Sequence, residues 1–176
     1  VDAATGRATA TAVANGEADC VLSAGSTGAL LTGGTRIIKR LKGVKRPALA
    51  TVLPTKESCV LLLDCGANTD CKSDYLVQFA LMGSAYMKSV LGVDNPRVGL
   101  LSNGAEEEKG NELTKETHAL LKTAPVNFTG NCEARDVLGS EFDVVVCDGF
   151  DGNVVLKSTE GTAALMMSLL KEGLTS

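Results

Sequence analysis

An α/β fold on a mostly parallel sheet is what this sequence predicts, on three observations. Short apolar, β-branched runs alternate with longer segments of helical period, the pattern of strands joined through crossover helices. Four of the runs end in Gly and small polar residues directly before a helical segment, as at the strand ends of open α/β sheets. With 176 residues, 44% hydrophobic and 22% charged, the chain carries enough apolar surface to bury a core, and residues 1–176 read as one α/β domain.

Six strands interleaved with five helices are expected. The strands are Asp19 to Ala24, Ala48 to Leu53, Ser58 to Asp64, Arg97 to Ser102, Val126 to Gly130 and Asp143 to Asp148. Only Pro54, Thr55, Lys56 and Glu57 separate the second from the third, too few for a parallel crossover, so that pair should be an antiparallel hairpin. A helix starts at Ser73, an N-cap followed by Asp74. It sets Leu76, Phe79, Ala80, Met87, Val90 and Leu91 near one face and stops at Gly92, with Pro96 barring continuation. A second runs from about Glu107 to Lys122 with Leu113, Leu120 and Leu121 inward, and His118 on it reads as a surface or packing residue. A last helix covers Asn153 to Leu174, with Val154, Val155, Ala163, Leu165, Met166, Leu169 and Leu170 available for burial.

Composition excludes several classes of function. The longest apolar runs are strand-sized, well short of the roughly 20 residues that cross a bilayer. No basic start, apolar core and small-residue cleavage site marks a signal peptide, and the missing initiator Met suggests part of a longer chain. The six cysteines lie mostly in strand-like segments and are expected to be reduced and buried. Without a CxxC pair and with His118 as the single histidine, a zinc site is not expected. Net charge is −4, yet Arg36, Lys39, Arg40, Lys42, Lys45 and Arg46 crowd one acid-free stretch. It reads first as a solvated face and second as a surface for an acidic carrier protein, with no nucleic-acid partner expected.

The chemistry is expected in the four glycine-containing turns: SAGSTGALL at Ser23 to Leu31, DCGANTDCK at Asp64 to Lys72, SNGAEEEKGNEL at Ser102 to Leu113, and CDGFDGNVVLK at Cys147 to Lys157. In a parallel sheet the carboxyl ends of the strands share one edge, so these loops should converge. Glycine lets backbone N–H groups approach a ligand, and a following helix adds unpaired N–H groups and a positive dipole end, so an anion such as phosphate is the natural ligand. Neither GxxxxGK[ST] nor GxGxxG is present, which argues against an ordinary nucleotide site. Lys109, among Glu106, Glu107, Glu108 and Glu112, is either part of a solvated helix start or a cation kept for a ligand. Asn153 is either a helix cap or a donor to a substrate oxygen. With His118 several turns down a helix, a catalytic triad is not expected.

SAGSTGALL, LLLDCGANTDCK, QFALMGSAY, VLGVDNPRVGLLSNGAEEEKGNELTKE and VVVCDGFDGNVVLKSTEG resemble, in order and spacing, the successive motifs of the PlsX family of phosphate acyltransferases. The resemblance covers nearly the whole chain, which would be the central portion of a longer protein. It implies transfer of a fatty acyl group from acyl carrier protein to inorganic phosphate, without cofactor or metal. It also implies a three-layer α/β/α fold related to isocitrate and isopropylmalate dehydrogenases and to phosphotransacetylases. Such enzymes are cytoplasmic homodimers that associate peripherally with the membrane. Carried onto this chain, Lys109 and Asn153 would be catalytic, and Gly25, Ser26, Thr27, Gly28, Asn68, Asn103 and Gly104 would line the phosphate and thioester site. Ser26 stands where the family usually has Asn, and only Val1, Asp2 and Ala3 match the family's opening VDAMGGD. The competing readings are a phosphotransacetylase acting on acyl coenzyme A, and a shortened module that binds phosphate or carrier protein without turnover.

Overall fold

The computed structural model describes residues 3–175, which form two compact units, Val1–Pro47 and Ala48–Ser176. The first contains helices α1 (Ala3–Ala14) and α2 (Thr27–Gly33), the latter running into a wider π turn over Gly34–Ile38. The strand expected over Asp19 to Ala24 does not form: the segment is irregular and Leu22 is 98% exposed. A strand needs a neighbour for its N–H and C=O groups, and among the described residues this unit contains no other strand.

The second unit holds a five-stranded sheet: β1 (Ala50–Pro54), β2 (Cys59–Leu63), β3 (Arg97–Ser102), β4 (Asn127–Glu133) and β5 (Val144–Val146). Their order is β1-β2-β5-β3-β4, and only the β1–β2 pair is antiparallel, the hairpin expected from its short turn. The last of these five strands in sequence therefore sits in the middle of the sheet. It matches Leu61 with Val144 on one side and Val98 with Val144 on the other.

Both faces of the central strands are apolar, as a covered parallel sheet requires. Leu61, Leu63, Val98, Leu100, Val144 and Val146 point to one side. There they meet Leu76, Phe79, Ala80 and Met87 of helix α3 (Ser73–Leu91) and Leu121 of helix α4 (Glu112–Leu121). Val60, Leu62 and Val145 point to the other side, with Val137 and Phe142, where Val155 and Leu156 of helix α5 (Gly149–Thr175) pack. These are the three layers α/β/α. The α3 layer lies close to the sheet, since a Cβ at Gly83 would stand 2.6 Å from Cγ1 of Val144.

Three helix details differ from expectation. Helix α3 turns at Gly92, whose φ of +72° is left-handed, and Val93 folds back toward the core, leaving Val90 and Leu91 exposed. Helix α4 starts at Glu112 rather than near Glu107, because Gly110 (φ +99°) turns the chain and Asn111 caps the helix through its bond from the Thr114 N–H. Leu121 is buried but Leu120 is exposed, since neighbours about 100° apart on a helix cannot both face inward. Helix α5 begins at Gly149, four residues early. Beyond Glu160 its side chains, including Leu165, Met166, Leu169 and Leu170, are all exposed rather than buried. Among the described residues no helix is long and apolar enough to cross a membrane.

Candidate active site

Three of the four glycine-containing turns leave the carboxyl ends of adjacent parallel strands, β2, β5 and β3, and so share one edge of the sheet. The fourth, Gly25 to Gly28, belongs to the first unit, where the Gly25 N–H bonds Ser23 Oγ at 3.2 Å and Ser26, Thr27 and Gly28 form the start of α2.

The β2 turn is organised around Asp64, which is fully buried. Its Oδ1 accepts from the N–H groups of Leu49 (2.9 Å) and Ala67 (3.0 Å), and its Oδ2 from the N–H and Nδ2 of Asn68 (both 2.8 Å). Four such bonds replace the water that this carboxylate loses, which is what makes a buried charge tolerable. Asn68 is thereby committed to shaping the turn, and its carbonyl accepts the Gly149 N–H at 2.7 Å.

The β5 turn is a helix start. Asp148 Oδ1 accepts the N–H groups of Phe150 (2.9 Å) and Asp151 (2.8 Å), the N-cap bonding that lets α5 begin inside the DGFDGN segment. This first turn lies directly on the β2 turn: a Cβ at Gly149 would stand 2.8 Å from the Asn68 carbonyl oxygen, and one at Gly152 would overlap the Asp64 carbonyl oxygen. Asn153 is therefore not the cap. It is half-buried in the first turns of α5, with Nδ2 donating to the Cys65 carbonyl at 3.3 Å.

In the β3 turn, Gly104 is buried beneath the Lys109 side chain, whose Cγ stands 2.7 Å from where a Cβ on that glycine would lie. Lys109 is exposed, and among the described residues it has no acidic ion-pair partner. Asn103 is exposed and lines a cleft of about 600 Å³ with Ser102, Asn111, Thr114, Asp151 and Val154. Among the described residues the buried Ser102 hydroxyl there has no hydrogen-bond partner. Partial burial in this cleft and then the charge of Asp148 push the Asp151 carboxyl above its usual range.

Of the residues expected to act, Asn103, Gly104 and Lys109 come together in the β3 turn, and Asn68 and Asn153 come together where the β2 turn meets α5. Asp64, Ser102, Asp148 and Asp151 were not singled out from the sequence. An Asp before Gly at a strand end, followed by helical period, was the legible sign for Asp148. Cys147 is a buried thiol against Gly152, its pKa raised first by burial, which makes it a packing group and no nucleophile. Among the described residues no group of three or more His, Cys, Asp or Glu side chains is placed to hold a metal ion.

Residues 2–176 match the model of the family described as fatty acid synthesis protein. A phosphate acyltransferase of Bacillus cereus (strain B4264) is 55% identical over 165 residues, covering 93% of this chain and 50% of that protein. One of Desulfitobacterium hafniense (strain Y51) is 56% identical over 165 residues, covering 93% and 49%. The chain thus spans about half the length of the curated relatives it matches. Among solved structures, a phosphotransacetylase from Streptococcus pyogenes superposes with a TM-score of 0.70 at 17% identity, covering 90% of this chain and 55% of that one. The EutD phosphotransacetylase from Staphylococcus aureus gives 0.68 at 20%, covering 90% and 56%. At that identity the likeness is one of fold, and it agrees with the three layers described above. On the match of its whole described length, the chain belongs to the fatty acid synthesis protein family, the PlsX-type family that its motifs resemble.

Proposed function

We propose that this chain carries the catalytic centre of a cytoplasmic phosphate acyltransferase, which moves a fatty acyl group from acyl carrier protein to inorganic phosphate. The observation that carries the reading is the set of strand-end turns on one sheet edge, with Lys109, which has no acidic ion-pair partner among the described residues, on one of them, in a member of this family. A phosphate oxygen attacks the thioester carbonyl, forming the C–O bond. The tetrahedral oxyanion collapses with cleavage of the C–S bond, and the electron pair leaves on the carrier's sulfur. Phosphate is already a competent nucleophile, so the work of the protein is to hold it and to stabilise the oxyanion.

In this scheme Lys109 supplies positive charge to phosphate. Asn153 offers the oxyanion the Nδ2 hydrogen not used on Cys65, while Asn103 and Gly104 contribute donors and room. Asn68 acts by shaping the β2 turn, through its bonds to Asp64 and Gly149. The apolar side chains on distal α5 suit cover by a second copy in a homodimer or by peripheral contact with a membrane.

The test is phosphate-dependent release of free thiol from palmitoyl acyl carrier protein, comparing this chain with Lys109→Ala. Loss of one oxyanion or phosphate contact should lower kcat about 10²-fold or more, with the thermal unfolding midpoint unchanged because Lys109 is exposed. Equal turnover by both would refute the assigned role. Turnover with acyl coenzyme A alone would favour a phosphotransacetylase, and phosphate binding without turnover would favour a binding module.

A further inference from the structure

The turn that carries Lys109 is anchored from behind by a buried polar pair that none of the chemistry above uses. Asn131 on β4 and His118 on α4 are each 6% exposed. Asn131 Nδ2 donates to the Glu106 carbonyl at 2.7 Å, and the Lys109 N–H donates to that same oxygen at 3.1 Å. A carbonyl only accepts, so this contact fixes the orientation of the Asn131 amide and leaves its Oδ1 as an acceptor. His118 Nδ1, 2.9 Å from that Oδ1, must then carry the proton. The imidazole is in turn held edge-on against Phe128, with ring centroids 4.9 Å apart at 81°. Its Nε2 faces Glu107, which is paired with Lys122.

We infer that Asn131, with its amide oriented by His118, is a positioning residue that locks the Glu106–Lys109 turn and so sets where the Lys109 ammonium stands. One carbonyl oxygen, that of Glu106, joins the pair to Lys109. The functional half of the inference rests on the role proposed for Lys109, but the anchoring itself does not.

The decisive variant is Asn131→Asp, which keeps size and shape but turns the donor to Glu106 into an oxygen facing an oxygen. Amide hydrogen exchange on the full chain should show Lys109 N–H exchanging about tenfold faster, with the β3 and β5 amides still protected. In the thiol-release assay kcat/KM for phosphate should fall about tenfold, since a displaced cation no longer meets the phosphate charge. His118→Phe and His118→Asn supply a second measurement should Asn131→Asp fail to fold. Phe keeps the packing on Phe128 and removes the donor, so the turn should loosen. Asn restores a donor near the Nδ1 position and should tighten it again. If these residues only fill space, the order reverses, with Phe behaving as wild type and Asn loosened. That reversal, or wild-type exchange at Lys109 in Asn131→Asp, overturns the inference. Should Lys109→Ala leave turnover intact, the role of Lys109 fails while the exchange experiment still decides the anchor.

Discussion

Gly152→Ala should destabilise the second unit, although alanine is the better helix former. An added Cβ would overlap the Asp64 carbonyl oxygen and stand 2.7 Å from Cys147 Sγ. Neither neighbour can yield easily: Asp64 is held by four hydrogen bonds to its carboxylate, and Cys147 lies in the core. The start of α5 must therefore lift off the β2 turn, at an overpacking cost of about 3 kcal/mol, against about 1 kcal/mol regained from helix propensity. The net loss of about 2 kcal/mol, with an m-value of about 2 kcal/mol/M, lowers the urea midpoint by about 1 M. Gly161→Ala in the same helix is the control, since a Cβ there meets nothing within 4 Å. Its midpoint should hold or rise by at most about 0.5 M, from at most about 1 kcal/mol of propensity. Urea unfolding followed by circular dichroism reads both variants. A Gly152→Ala midpoint equal to or above wild type would refute the packing argument.

Two further outcomes follow from charge and burial. Burial alone would raise the Asp143 carboxyl, but the two side-chain bonds and one N–H bond from Arg97 outweigh it and hold it below the usual range. Arg97→Met should cost about 1 kcal/mol at pH 7, discounted for the half-exposed guanidinium. Because the folded pKa lies below the unfolded one, that contribution is complete above about pH 4 and fades as pH falls further. Denaturation at pH 7 and pH 3 checks it, and an undiminished difference at pH 3 would contradict it. Burial pushes the Cys71 and Cys132 thiols up to about 12 and Cys147 well above its ordinary value. Iodoacetamide at pH 8 should therefore label exposed Cys20 in the native protein and reach Cys132 and Cys147 only on unfolding, as peptide mass spectrometry would show.

The fold was legible wherever the signal was local. CVLLLD and DVVVCD read as strands because a parallel strand covered on both faces is apolar throughout, and the four residues after Leu53 dictated a hairpin. Asp19 to Ala24 has the same apolar look without forming a strand, because pairing depends on a partner that composition does not reveal. The turns that build the site were visible from their glycines, but the work of individual residues was not. Asn153 reads equally well as cap or donor until Asp148 is seen to take the cap bonds. Gly152 looks like one more flexible residue until the Asp64 carbonyl is found where its Cβ would be. Asn131 lies 22 residues beyond Lys109, inside an unremarkable strand, and only the parallel pairing of β3 with β4 brings it beneath the turn.

The position of β5 also bears on how the chain acquires its structure. β2 and β3 are not neighbours; the seat between them is filled by a strand of three residues that follows both of them in the sequence. Until Val144 to Val146 arrive, β2 and β3 each lack a partner along the centre of the sheet, and the contacts that join them span 83 residues from Leu61 to Val144 and 46 from Val98 to Val144, the kind of long-range closure that makes folding slow. A nascent chain ending before residue 144 leaves that slot open, and unpaired strand edges of this kind are what make incomplete chains prone to aggregate. The same short strand leads straight into Asp148 and Asn153, so closing the centre of the sheet also seats the turns of the candidate site.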